Sequence, residues 1–268
     1  MIKCSLIIST YNWPEALNLC LQSILQQSIL PNEIIIADDG SKDNTGKLIN
    51  DFKHLFSIPL IHVWQEDDGF RLSKIRNKAI AKSNYEYIIQ IDGDVILNKY
   101  FIQDHLFFAQ KKALLQGSRV MLGNLISQQL IQNTTIDFSL INKDIKRKEN
   151  GIRFYLLTKI FLHRYRLPSK KPKYFARGAN MSFWKSDFIL VNGYNEKFEG
   201  WGHEDSDLTI RLMNIGVEKL YFKFAGIIYH LYHKEEKTKN EDMANKNLLR
   251  SAYSDRTTKI ETGINQYI

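Results

Sequence analysis

Tyr87-Ile88-Ile89-Gln90-Ile91-Asp92-Gly93-Asp94 reads as an apolar strand running into two carboxylates with a glycine between them. A near-continuous apolar run of this length suits a strand buried on both faces of a parallel sheet. Working back from it, the same grammar repeats. Residues 2–9 form another such run, after which Pro14 opens a helix whose Leu17, Cys20, Ile24 and Leu25 share a face. Residues 33–37 make a second strand ending in Asp38-Asp39-Gly40-Ser41, with a helix from about residue 44 to 55 behind it. Residues 58–64 make a third strand, and Leu72, Ile75 and Ala79 have helical spacing before the stretch quoted first. Strand and helix in alternation predict an α/β fold: a Rossmann-like, doubly wound, mostly parallel sheet flanked by helices, with right-handed crossovers.

Ligands of such sheets sit beyond the carboxyl ends of the strands. Thr10-Tyr11-Asn12, Asp38-Asp39 and Asp92-Gly93-Asp94 all fall there, so three polar clusters are expected to converge on one crevice. No Gly-x-Gly-x-x-Gly follows the first strand, and no Gly-x-x-x-x-Gly-Lys-Ser/Thr occurs anywhere, which argues against dinucleotide and P-loop chemistry.

The 268 residues carry a net charge of +8, of which residues 143–173 hold eleven Lys/Arg against Asp144 and Glu149. One basic segment on an otherwise near-neutral chain is not a nucleic-acid footprint, and no nucleic-acid partner is expected. No run of about eighteen apolar residues predicts a spanning helix, and the first residues lack the pattern of a secretory leader. Cys4 and Cys20 lie in apolar runs and read as buried thiols of a reducing cytoplasm.

The chemistry-bearing motifs each have a plainer reading as well. Asp92-Gly93-Asp94 suits a turn, and equally suits a hard divalent cation neutralising a diphosphate, Mg²⁺ or Mn²⁺. His230-Leu231-Tyr232-His233 offers two imidazoles that could complete a metal shell with Asp94. Gly200-Trp201-Gly202-His203-Glu204-Asp205-Ser206-Asp207-Leu208 presents an aromatic platform suited to a sugar ring, then carboxylates opening a helix. Those carboxylates could be capping groups, Asp207 above all, or could include a base for an acceptor hydroxyl.

Taken together, Ser9-Thr10-Tyr11-Asn12, Asp38-Asp39-Gly40-Ser41, Arg76-Asn77, Asp92-Gly93-Asp94 and the segment from Gly200 to Leu208 resemble family 2 glycosyltransferases of the GT-A fold. The second half resembles the galactosyltransferase-type C-terminal region, similar to that of bacterial chondroitin polymerases. The resemblance covers residues 2–112 and 174–234. It implies a UDP-sugar donor, with Thr10 and Asp39 at the uracil, Arg76 on the nucleotide side and Arg71 near the sugar or phosphate. Asp92 would lie near the ribose and donor sugar, with Tyr11, Asn12, Gly93 and Asn180 completing the donor set; Arg177-Gly178-Ala179-Asn180 resembles the strand that borders the sugar. Asp94, His230 and His233 would hold Mn²⁺ or Mg²⁺, Asp205 would be the catalytic base, and Trp201 and Glu204 would meet the acceptor. The Gln-x-x-Arg-Trp signature of processive synthases is absent, so a non-processive, inverting transfer to a glycan or lipid-linked glycan is expected, in cell-surface polysaccharide or lipopolysaccharide synthesis.

The expected organisation is one catalytic domain over 1–234, comprising a nucleotide-binding half 1–122, a basic variable insertion 123–172 and an acceptor and metal half 173–234. A helical, charged tail, 235–268, follows. Apolar and aromatic residues interleaved with the cations of 143–173 suit an anionic membrane surface, as expected of a cytoplasmic enzyme peripheral on the inner face of the membrane. The alternative is a solvated helix packing its apolar side on the domain. Two other classes compete: a sugar-nucleotide nucleotidyltransferase, which would need a Gly-rich basic loop after the first strand, and a non-catalytic glycan- or lipid-binding module, which leaves three converging carboxylate clusters unexplained.

Overall fold

The computed structural model describes residues 2–136, 145–146, 148–162, 172–234 and 239–268. Strands β1 (Cys4–Thr10), β2 (Glu33–Asp38), β3 (Leu60–Trp64) and β4 (Tyr87–Asp92) alternate with α1 (Pro14–Leu25), α2 (Asp43–Lys53) and α3 (Leu72–Ala81), within a residue or two of the sequence expectation. All four strands run parallel, in the order β3-β2-β1-β4. Their residues alternate between two apolar layers. Leu6, Ile8, Ile34, Ile36, Ile89 and Ile91 pack with α1 and α2, whereas Ile7, Ile35, Ala37 and Ile88 pack with α3. Covering both faces is what a parallel sheet requires.

Beyond β4 the sequence reading loses resolution. β6 (Ala113–Gln116) and β10 (Glu218–Tyr221) extend the sheet, but β9 (Asn180–Trp184) enters antiparallel between β4 and β6. A second sheet, β5-β11-β7-β8, contains β5 (Val95–Leu97), β7 (Ser118–Leu122), β8 (Ile145–Lys146) and β11 (Ile227–His230). It packs through Ile96, Val120 and Tyr229 on Ala16 and Leu19 of α1 and on Ile126 and Leu130 of α5 (Asn124–Asn133). The expected insertion therefore begins with a core helix and adds a strand to a sheet. Of the expected insertion, residues 137–144, 147 and 163–171 lie outside the described residues.

The two sheets meet where β6 passes into β7. A Cβ at Gly117 would collide with the side chain of Asn180 and lie 2.6 Å from the Gly226 carbonyl oxygen. Asn180 donates to the carbonyls of Ser118 (3.0 Å) and Gly226 (2.7 Å), and its Oδ1 lies 3.1 Å from His105 Nε2. Burial pushes the His105 imidazole down to about 3, so it serves as a neutral hydrogen-bonding wedge.

Helices α4 (Phe101–Phe108), α6 (Tyr155–Phe161) and α7 (Lys185–Leu190) complete the first two-thirds of the chain. Helix α8 (Glu204–Asn214) joins α3 on one face of the sheet, burying Leu208 and Leu212. Its Asp207 forms a fully buried ion pair with Arg211 (2.7 Å), whose guanidinium also donates to the carbonyls of Val191 and Gly193. The capping reading of Asp207 is thus replaced by a core ion pair. The tail folds back: α9 (Lys239–Ser254) packs on α8, and Asn245 donates to the carbonyls of Glu199 and Gly202, the loop that carries Trp201.

Candidate active site

The expected crevice forms because backbone bonds lace the strand ends together. Gly93 N donates to Ser9 O (2.7 Å) and Asp39 N to Thr10 O (3.0 Å). Asn12, at φ 46°, turns back so that its N–H reaches Ser41 Oγ and its Oδ1 accepts from Lys42 N. Tyr11 lies half exposed at the rim, its hydroxyl donating to Asp67. Asp39 is buried, accepting from Gln65 Nε2 (2.5 Å) and from the Arg71 backbone N–H (2.8 Å). Burial raises its carboxyl above the usual range, against those two bonds. The Arg71 guanidinium turns instead to Asp68 and Glu199, each at 3.0 Å.

At the centre stands Arg76. Its guanidinium is 1% exposed and bonds Asp92 Oδ1 (2.9 Å), Asp205 Oδ1 (2.9 Å), Glu204 Oε1 (3.3 Å) and Ser9 Oγ (3.1 Å). The arginine expected on the nucleotide side is thus a buried group of α3 that gathers carboxylates from β4 and α8. Burial opposes its charge, and Asp205, Tyr194, Asp92 and Glu204 outweigh that, leaving its pKa raised. One cation cannot neutralise three carboxylates. Accordingly burial and Asp205 push Glu204 up to about 8 despite Arg76, and burial likewise raises Asp92.

Asp205 is held from every side. Oδ2 accepts from Gly178 N (2.6 Å), and the Tyr194 hydroxyl lies 3.1 Å from Oδ1 and 3.0 Å from Gln90 Oε1. Gln90 in turn donates to Gly178 O. A side chain at Gly178 would meet Asp205 Oδ1 at 2.5 Å and Arg76 at 2.7 Å. Neither Glu204 nor Asp205 caps α8; the N-cap position is His203, at a left-handed φ of 78°, and the turn aims both carboxylates at Arg76. Oδ2 has one partner for two lone pairs, so it can take a proton. Trp201 stands 41% exposed on the loop just before.

The second constellation is Asp94 with His230 and His233, whose ligand atoms all lie within 4.8 Å of one another. Each imidazole sets its Nδ1 against a backbone carbonyl, Leu231 O at 2.7 Å and Lys234 O at 3.2 Å. With Nδ1 donating, both Nε2 lone pairs face Asp94 Oδ2, at 3.4 and 3.1 Å. In that tautomer acceptor opposes acceptor, and Asp94 Oδ1 is buried with no hydrogen-bond partner. Carboxylate and imidazole ligands with a stranded oxygen fit a divalent transition ion. Trp13 packs edge-on against His233, with ring centroids 5.9 Å apart.

Asn180, expected in the donor set, has its amide engaged at the sheet junction, where it bonds His105 and the carbonyls of Ser118 and Gly226. Three participants escaped the sequence reading: Gln65, Gln90 and Tyr194; Gly178 stood in a segment likened to the border of the sugar, without its contact to Asp205 being foreseen. The one local clue was Gln90, polar in an otherwise apolar buried strand.

The profile of Glycosyl transferase family 2 matches residues 5–164, and that of the N-terminal domain of galactosyltransferase matches residues 158–234. The chain is 24% identical over 274 residues to chondroitin synthase of Escherichia coli, covering 91% of this chain and 37% of that enzyme. It is 26% identical over 251 residues to hyaluronan synthase of Pasteurella multocida, covering 89% and 25%. It therefore spans little more than a third of these relatives at most. Among solved structures, S. aureus TarS 1-349 in complex with UDP-GlcNAc superposes with a TM-score of 0.66 at 14% identity, over 99% of this chain and 69% of the other. GalNAc-T7 with UDP, GalNAc and Mn²⁺ gives 0.68 at 12% identity, over 96% and 50%. Both share the fold described above.

Proposed function

This chain belongs to glycosyl transferase family 2, and on that footing we propose that it moves a sugar from a UDP-sugar to a glycan hydroxyl with inversion, using a divalent metal. The observation that carries the reading is the paired geometry: an acceptor-rich Asp94–His230–His233 cluster, and Asp205 joined to Asp92 of the same loop through Arg76. The similar solved structures, one with UDP-GlcNAc and one with UDP and Mn²⁺, support the donor class and the metal.

Asp39 and Thr10, at the ends of β2 and β1, take the uracil, with Tyr11 at its rim. Asp94, His230 and His233 would hold Mn²⁺ or Mg²⁺, which would supply positive charge against the diphosphate. Trp201 offers the acceptor sugar a stacking face, and Glu204, protonated below about pH 8, can donate a hydrogen bond to it. Asp205 Oδ2 removes the acceptor hydroxyl proton as that oxygen bonds to the anomeric carbon and the bond to UDP breaks. Arg76, Tyr194 and the Gly178 N–H hold Asp205 in one orientation, which confines the reaction to one face of the sugar. The acceptor is a glycan or lipid-linked glycan of the cell surface, and each encounter adds one sugar.

A panel of UDP-sugars with Mn²⁺, scored for UDP release, tests this. Asp205→Asn should lower turnover about 10²–10⁴-fold while UDP still binds. Asp94→Ala should abolish the metal dependence of UDP affinity in calorimetry. Unchanged turnover in the first variant removes Asp205 as base; pyrophosphate in place of UDP as product points to nucleotidyl transfer.

A further inference from the structure

Helix α6 is amphipathic the wrong way round. Its buried residue is Thr158, whose hydroxyl reaches the carbonyls of Phe154 and Lys223, while Leu156 and Ile160 are 60% and 47% exposed. Ile152, Phe154 and Phe161 are also exposed, so five large apolar side chains face outward within residues 152–161. A surface helix ordinarily hides such residues, and an apolar patch with aromatic members marks a contact surface. The alternative of a helix that packs its apolar side on the domain fits Tyr155 and Leu162 but not Leu156, Ile160 and Phe161.

The patch is built, not frayed. Arg153 forks onto Asp104 (2.6 and 3.1 Å) and stacks over Tyr100, while the same carboxylate accepts from Gly226 N. Tyr155 packs on Phe107, itself exposed, with centroids 4.5 Å apart. Phe224, at a left-handed φ of 70°, has its ring beside Phe161. Cations stand among the rings: Lys159 lies 5.2 Å from Tyr155 and 5.4 Å from Phe107, and Lys223 lies 5.3 Å from Phe224. Asp104, the acid held beneath them, is buried and neutralised by Arg153. The segment from 143 to 173 carries eleven cations against two acids.

From this geometry we infer that the α6 face docks on a lipid bilayer containing anionic lipids, with Leu156, Ile160 and Phe161 entering the interface and Lys159 and Lys223 remaining among the headgroups. Apolar side chains ringed by long cations meet both demands of that boundary: hydrocarbon for the one, negative charge for the other. A second protein surface would satisfy only the apolar part, unless it were also acidic. The inference does not depend on the transferase reading, because neither donor nor acceptor enters it.

Flotation with vesicles of phosphatidylcholine alone, or with about 30% phosphatidylglycerol, tests it on the full chain. Wild type should float with the anionic vesicles, less at about 0.5 M salt than at about 0.1 M, and little with neutral ones. Leu156→Ser/Ile160→Ser should lower binding by about tenfold or more, and Lys159→Gln less. Both sites are exposed, so folding should persist, checked by near-UV circular dichroism and by UDP release. Three outcomes overturn the inference: wild type that stays unbound, a double variant that floats equally well, or indifference to lipid charge. A wild-type dimer in sedimentation that the double variant dissociates, without flotation, would assign the patch to a second copy instead.

Discussion

At the scale of single residues the site depends on close approach. Gly178→Ala places a methyl against both Asp205 and Arg76, so turnover should fall at least about 100-fold, with UDP affinity altered far less; stopped UDP release beside preserved calorimetric binding is the expected pair of results. Glu204 gives a pH signature. Its folded value of about 8 lies above the ordinary 4.5, so the native state binds a proton that the unfolded chain has released. The stabilisation from this group is complete below about pH 4.5 and is lost as pH rises through about 8, by at most about 1.4 kcal/mol per pH unit. Glu204→Gln removes that slope. Melting curves of variant and wild type should therefore diverge steadily from pH 5 to 8, the variant becoming relatively more stable. These residues were only partly legible in the sequence. Asp94, His230, His233 and Asp205 stand in short motifs, and Gly178 in the segment likened to the border of the sugar, whereas Tyr194 reaches Asp205 through folding of the chain and carries no local pattern.

At the scale of elements, β1, β2 and β4 were readable because each is a near-continuous apolar run, the pattern left by burial on two faces, and the partly exposed edge strand β3 was readable from its place in the alternation. β9 was not. Its polar Asn180 and Ser182 face the sheet junction, where Tyr87, His105 and backbone carbonyls meet their hydrogen bonds, so the strand lacks the apolar mark. The second sheet was missed for a different reason: β5 and β8 have three and two residues, too short for any period to show. The junction makes a clear prediction. Asn180→Ala strands two buried carbonyls and the His105 ring, and should cost about 2–4 kcal/mol in urea unfolding. Because the amide's hydrogen bonds all lie at the sheet junction, the surviving folded enzyme should keep its affinity for UDP.

At the scale of the whole molecule, α3, β4 and α8 are joined at the crevice through Arg76, so occupancy of the site should be felt globally. UDP with Mn²⁺ at about a hundredfold excess over Kd should raise Tm by roughly 5–10 °C, and His230→Ala/His233→Ala should abolish the metal-dependent part in scanning calorimetry. The position of β9 also bears on how the protein is made. The partner of β4 on its outer side is encoded some ninety residues downstream, at 180–184. At roughly 5–20 residues per second, a ribosome leaves that strand edge bare for roughly 5–20 s after β4 is finished. An apolar edge open for so long invites pairing with neighbouring nascent chains. Slow translation or premature termination between residues 93 and 180 should therefore yield insoluble product, and the yield of native enzyme should respond to holdase chaperones that shield β4 during that interval.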